Sequence, residues 1–296
     1  MNIILKKATE SDIEPIYKLY SKYFGNKINL ELFKKIYVNY WKTDEDYFGY
    51  VLYDDKTAVA FCGYIFYKKI LNGKEEKFCN FGGWVVEKEY RKEYKTEVLK
   101  PLFKLAEEGY TLIGLSPTPG AYRVEKQLGF KDLEKGKIKF IFNPLKYFLK
   151  SNKAIKLYSS DPMISNSIKN EQIRKIHNDH LVFKGIERLL IKINNEEIYL
   201  LYIPFTKKKM LKMMEVLYVS DSSLFFDNLE LICSSFFKNK GIFGFRMESR
   251  FVPETINSDK NFIPYITPHI YLSNRLKPSE IDILYTERFL VYHLGE

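Results

Sequence analysis

Between Tyr47 and Glu87 the apolar periodicity shifts toward two, through FGYVLYD, AVAFCGYIFY and KFCNFGGWVVE, separated by Asp54-Asp55-Lys56 and Asn72-Gly73-Lys74. That pattern predicts three consecutive antiparallel strands, and such a meander needs helices to cover it. The flanking sequence supplies them. Asp12 stands at an N-cap position, and Ile13, Ile16, Leu19, Tyr20 and Tyr23 follow at helical spacing up to Gly25. Leu30, Phe33, Ile36, Tyr37 and Tyr40 repeat the pattern before Trp41, and Asn2–Ala8 reads as a preceding strand. Downstream, Thr96–Glu108 has an apolar helical face, Thr111–Leu115 reads as a buried strand, and a helix over Gly120–Leu128 with a strand after Phe130 completes this half.

The segment Trp84-Val85-Val86-Glu87-Lys88-Glu89-Tyr90-Arg91-Lys92-Glu93-Tyr94-Lys95-Thr96 resembles the strand-loop-helix motif of the GNAT (GCN5-related) N-acetyltransferase superfamily. There an apolar strand precedes tyrosine, arginine, two variable residues, glycine, any residue, and glycine or alanine. Val86, Tyr90 and Arg91 match, while Tyr94 and Thr96 replace the two glycines. Further on, Ala121, Gly129 and Phe130 fit the family's second pattern, with Thr118 at its asparagine position and Glu125 at its tyrosine position.

The resemblance covers Asn2 to about Asn143 and implies a mixed-sheet α/β fold of the GNAT type. It also implies a coenzyme A thioester, acetyl-CoA or a longer acyl-CoA, as co-substrate, with no metal. Backbone N–H groups at a helix N-terminus would face its pyrophosphate. Trp84 to Val86, Arg91 to Thr96, Thr118 and Ala121 are then the cofactor-side residues, and an N–H at Val85 or Val86 would hold the oxyanion. For catalysis, Tyr122 is the candidate substitute for the missing tyrosine as the donor to the departing thiolate, a role not carried over to Glu125, and it also reads as a tyrosine packed between helix and sheet. Glu87 and His269 head the candidate bases, followed by Glu76, His177 and His180, and each also reads as a structural or solvated residue. Gly82 and Gly83 interrupt a strand, which marks a bulge or a close approach. Room for the acyl chain or pantetheine is expected there.

With 296 residues, two domains are the default. A GNAT acyl-CoA-binding domain is assigned to 1–145, a connecting segment with a short helix to 146–184, and a degenerate GNAT-like acceptor-side lobe to 185–296. In the last, IERLLIKI, EIYLLYI, MEVLYVS, a helix over Leu224–Phe237 and GIFGFRMESRF repeat the earlier order. Arg250, Tyr265 and His269 are expected to face the acceptor, with Phe245–Arg250 and the aromatic run Phe262–Tyr271 offering phosphate and ring contacts or, equally, a strand face and a core cluster.

Tandem lobes of this kind resemble bacterial sugar N-acyltransferases of surface-polysaccharide pathways. The expected acceptor is then the amine of a dTDP- or UDP-linked amino sugar, whose diphosphate suits a net charge of +10. The alternatives are a tRNA-dependent aminoacyl transferase of the peptidoglycan type and a non-catalytic coenzyme A-binding module. Lysines scattered along the chain, with little arginine, argue against a nucleic-acid ligand, and a homodimer stays open. Cys62, Cys79 and Cys233 suit neither a disulfide framework nor a zinc site and read as buried thiols. With no signal peptide and no apolar run of ~18 residues, the expected location is cytoplasmic.

Overall fold

The computed structural model describes residues 2–25, 29–38, 40–71, 73–143, 155–207, 211–256 and 261–287. It divides into two compact units, one of Met1–Leu133 with Thr267–Glu280 and Tyr285–Glu296, the other of Glu134–Ile266 with Ile281–Leu284.

In the first unit β1 (Ile3–Lys7), β2 (Gly49–Asp54), β3 (Thr57–Leu71) and β4 (Lys74–Val86) pair antiparallel in that order. Helices α1 (Ile13–Phe24) and α2 (Leu30–Ile36) separate β1 from β2 in sequence. A capping box joins Thr9 and Asp12 just before α1, and Asn29 caps α2 through the Leu32 N–H at 2.8 Å. The two helices bury Ile13, Ile16, Leu19 and Phe33 with Phe61 and Val85 on one face of the sheet. After the short α3 (Arg91–Tyr94), α4 (Lys100–Glu107) places Leu102 and Leu105 with Cys62, Phe81 and Phe130 in a separate cluster. Strand β5 (Tyr110–Gly114) runs parallel to β4, and α5 (Pro119–Gln127) follows it, leading to β6 (Lys131–Ile141).

The second unit repeats this order of pairings. Strands β7 (Ile155–Tyr158), β8 (Glu187–Ile193), β9 (Glu196–Lys207) and β10 (Leu211–Val219) are antiparallel, and β11 (Gly244–Glu248) is parallel to β10. The stretch read as a connection holds β7 and helices at Asp161–Ser167 and Glu171–Asp179. One helix was expected over 224–237. The chain instead forms Ser222–Asp227 and Leu229–Lys240, broken at Asn228, whose φ of −109° and ψ of 17° leave the helical region. The aromatic run is strand β12 (Phe262–Leu272).

The units do not follow the sequential division, whose first boundary, residue 145, lies outside the described residues. Ile270, Tyr271 and Leu272 of β12 pair with Gly114, Ile113 and Leu112 in the first unit. Lys137 to Ile141 of β6 pair with Glu248 to Gly244 in the second. The strand after Phe130 therefore does not complete the first half from Glu134 onward, because Ile138 and Phe142 share a core with Phe245 and Met247. Among the described residues, no helix is long and apolar enough to cross a membrane.

Arg250 is internal to the second unit and does not face an acceptor. Its guanidinium bonds Glu248 Oε2 at 2.6 Å, lies 3.7 Å from Glu134 and donates to the Ile281 carbonyl. Arg246 likewise pairs with Glu215. Removing the Arg250 charge would leave the buried Glu248 carboxylate without its guanidinium, so Arg250→Met should destabilise the protein by about 3–5 kcal/mol. The measurement is thermal and urea unfolding, and a loss below about 1 kcal/mol would contradict this placement.

Candidate active site

The parallel pairing of β4 with β5 ends at Phe81 and Gly114, while β4 stays paired with β3 as far as Val86 and Ala60. Past Gly114 the chain turns through Ser116, at φ 50°, into α5. Residues 82–86 thus lie beyond the last pair with β5, with peptide groups alternating in direction along the strand. Two buried polar atoms, Trp84 Nε1 on β4 and Glu125 Oε2 on α5, have no hydrogen-bond partner among the described residues. Leaving such an atom dry and unpaired costs about 1–3 kcal/mol, which a bound ligand would offset. The residues present therefore suit a polar ligand laid along β4.

The expected bulge at the glycines is there. The register runs Phe61↔Val85 and then Gly63↔Gly82, so β4 spends one residue more than β3, and Gly83 takes φ +63°. The space above the glycines, expected to receive acyl chain or pantetheine, is used by the protein's own side chains. A Cβ at Gly63 would overlap the Tyr37 ring, and one at Gly82 would overlap Glu287 Oε2.

Glu287 reaches this point because its N–H donates to Asn80 Oδ1 at 2.8 Å, while buried Asn80 donates from Nδ2 to the Ile113 carbonyl at 3.0 Å. One amide thus ties Glu287 to the β4–β5 pair. Burial pushes the Glu287 carboxyl up to about 8 and that of Glu125 up to about 7. Burial, with further contributions from Glu125 and Glu287, also raises Cys62, whose Sγ lies 4.0 Å from the Gly82 carbonyl oxygen. Burial raises the Tyr20 and Tyr37 phenols, with Glu287 adding to both. Tyr20 and Tyr37 pack on the α1–α2 core, whereas Tyr122 of α5 packs on the α4 core, so the two carboxyls approach β4 from different layers.

The residues singled out from sequence fall into two groups. Trp84, Val85 and Val86 do line the free end of β4. The loop after it contains helical turns at Lys88–Tyr90, Arg91–Tyr94 and Glu97–Leu99, which tyrosine and threonine at the glycine positions allow. Lys92, Glu93 and Lys95 are exposed on it, with Tyr94 and Thr96 half-buried. Arg91 turns back, donating to the Val86 carbonyl at 2.9 Å and stacking over Tyr23. Thr118 caps α5 by accepting the Ala121 N–H at 3.3 Å.

The remaining candidates are engaged in structure. Burial would raise Glu87, but Lys22 and Tyr23, each 2.7 Å away, hold its carboxyl below the usual range, which suits a brace between β4 and α1 better than a base. The Tyr122 hydroxyl donates to Asp132 at 2.8 Å, away from a thiolate-donor role. His269 is buried on β12 in the first unit, its Nε2 3.4 Å from Ser116 Oγ, and so is not part of a second lobe. Glu76 pairs with Arg275, His177 lies between Ser165 and Tyr199, and His180 bonds the Ile176 and Leu284 carbonyls. Tyr265 carries Lys137 over its ring at 5.4 Å. Sequence reasoning missed Tyr37, Asn80 and Glu287. It passed over Glu125, although its place at the family's tyrosine position was a usable signal.

No protein-family model and no curated protein matches the sequence. Among solved structures the chain is similar to a GCN5-related N-acetyltransferase from Anabaena variabilis, with a TM-score of 0.59 and 9% identity over 91% of this chain and 72% of that one. A conserved protein from Enterococcus faecalis gives a TM-score of 0.59 and 12% identity over 94% and 74%. A GCN5-related N-acetyltransferase from Kribbella flavida gives 0.55 and 10% over 91% and 70%. At these identities the likeness establishes the fold, a mixed-sheet α/β fold of the GNAT type.

The two glycines respond differently to a methyl group. Gly63→Ala must displace the half-buried Tyr37 ring and should cost about 1–3 kcal/mol, whereas Gly82→Ala displaces the end of a flexible side chain and should cost less. Chemical unfolding of both variants side by side checks this, and equal losses would show that the Glu287 carboxyl is held as rigidly as the Tyr37 ring.

Proposed function

We propose that the chain is an acyl-CoA-dependent N-acyltransferase of the GNAT type, and that its acceptor is the amine of a nucleotide-linked amino sugar of a bacterial surface-polysaccharide pathway. The observation that carries the enzymatic reading is the end of β4 beyond its last pair with β5, together with two buried polar atoms that have no partner among the described residues, Trp84 Nε1 on that strand and Glu125 Oε2 on α5. A bound acyl thioester supplies an activated carbonyl to a nucleophilic amine. The chain's task is to hold the two reactants together and to move protons. Residues 84–86 would hold the thioester end, and the exposed Lys92 and Lys95 would neutralise phosphate charge beside the loop.

Glu125 takes the part that the resemblance gives to a tyrosine. With its carboxyl near 7, it carries a proton for a large fraction of the time at neutral pH and can pass it to a departing thiolate. The sugar-nucleotide acceptor is supported by chemistry of a general kind: a net charge of +10 favours a diphosphate-bearing substrate.

Calorimetry with acetyl-CoA should show binding, weakened and made less salt-dependent in the Arg91→Ala, Lys95→Ala double variant. Turnover should follow with a panel of dTDP- and UDP-linked amino sugars. Binding without turnover would leave a coenzyme A-binding module, and turnover only with charged tRNA would point to an aminoacyl transferase. Glu125→Gln should lower turnover by about a hundredfold, while Tyr122→Phe stays within about threefold, since its hydroxyl serves Asp132. The reverse order would return the proton-donor role to Tyr122.

A further inference from the structure

Acylation of an amine needs a group that removes a proton from the ammonium form before the nitrogen can attack. Glu87, favoured by the sequence for this, is held by Lys22 and Tyr23. Glu287 has the properties Glu87 lacks. It stands against Gly82, the first residue of β4 beyond the last pair with β5. Its backbone is fixed by Asn80, itself bonded to β5, so the strands that define the free end of β4 also position the carboxyl. Taken as a whole residue Glu287 is half-buried, and its carboxyl is withdrawn from water enough for burial to raise its pKa.

We propose that Glu287, delivered to the β4 glycines by the returning C-terminal segment, is the general base that deprotonates the acceptor ammonium. This rests on the N-acyltransferase reading. The Glu287 carboxylate takes one proton from the ammonium, and the neutral amine nitrogen forms the C–N bond as the C–S bond breaks. The nitrogen then loses a second proton to become an amide, and the sulfur leaves with the bonding pair and takes a proton from Glu125; of the two protons lost by nitrogen one replaces that of Glu125 and the other is released to solvent, so both carboxyls return to their starting states.

The titratable groups whose charge is felt with that of Glu287 are Tyr20 of α1, Tyr37 after α2 and Cys62 of β3, and its N–H is held by Asn80 of β4. Burial sets its pKa at about 8, near that of an amine, so the proton moves with little uphill cost. The group is a base only when ionised, so turnover rises with pH through that value.

The experiment compares wild type, Glu287→Gln and Glu287→Asp in the full chain, with acetyl-CoA and a panel of dTDP- and UDP-linked amino sugars, glucosamine and a lysine peptide. Glu287→Gln should lose about a hundredfold in kcat at pH 8, lack the inflection near pH 8, and keep its affinity for acetyl-CoA. Glu287→Asp should show an intermediate rate and keep the inflection. A second readout needs no turnover. Unfolded glutamate ionises near ~4.3, so wild type loses stability relative to the Gln variant as pH rises from there to about 8. The thermal midpoint of Glu287→Gln minus that of wild type should therefore climb between pH 5 and pH 8. A wild-type rate and inflection in Glu287→Gln, or a flat midpoint difference, would overturn the assignment. A wild type that neither binds acetyl-CoA nor acylates any amine would remove the enzymatic reading and the base with it, an outcome recognisable because no variant then has a rate to lose.

Discussion

β4 keeps its partner β3 to Val86 but loses β5 after Phe81, and the proposed chemistry depends on that mismatch. A strand that loses one neighbour while keeping the other exposes a row of peptide groups, which elsewhere invites aggregation. Here the row is short and accompanied by a bulge. The extra residue at Gly82–Gly83 increases the local twist, and the missing Cβ atoms let Tyr37 and Glu287 lie directly on the backbone. Asn80, one residue before the last pair, bonds both the β5 carbonyl of Ile113 and the N–H of Glu287. The geometry of the opening and the position of the carboxyl therefore have one origin.

The first unit cannot assemble from the first half of the chain alone. Its strand β5 is flanked by residues 270–272 of β12, and its Glu287 comes later still, 207 residues from Asn80. The second unit in turn pairs its parallel strand β11 with β6 from the first half. Contacts of such sequence separation form late and fold slowly. They also mean that dividing the chain between its halves takes β12 from beside β5 and β6 from beside β11, so neither half keeps its own sheet whole.

Local patterning made much of the first unit legible. Three strands, two amphipathic helices and the motif around Tyr90 and Arg91 rest on short-range periodicity, and the structure places strands and helices in that order. The exchange of β6 and β12 left no such trace, because a strand's alternation says which face is buried but not which neighbour it pairs with. For the same reason Phe262–Tyr271 read as a cluster of aromatics. Glu125 was legible in position but not in chemistry, since only its burial in the fold makes a glutamate a usable proton donor. Glu287 had no signal at all: it is one glutamate among many, brought to β4 by a backbone hydrogen bond. Arg250 shows the opposite error, a cation read as a ligand for phosphate that the fold uses up on Glu248 and Glu134.

Two buried carboxyls at raised pKa are hard to justify by packing. Glutamine would fill either volume without a charge to desolvate. Below the ordinary glutamate pKa both states of the protein hold these protons and nothing is lost. Between there and about 7 for Glu125, or about 8 for Glu287, the unfolded chain has given up its proton and the folded one has not, so stability falls steadily as pH rises. Above those values the cost is complete, which places most of it at neutral pH, where it is hardest to tolerate in a marginally stable fold. Local rules broken at a stability cost concentrate where proteins do chemistry. The bulge, the glycines and the Glu287 carboxyl thus fall on one short stretch of β4, while Glu125 lies on α5 in the other layer, an arrangement that lets a ligand at the end of β4 be met from both sides.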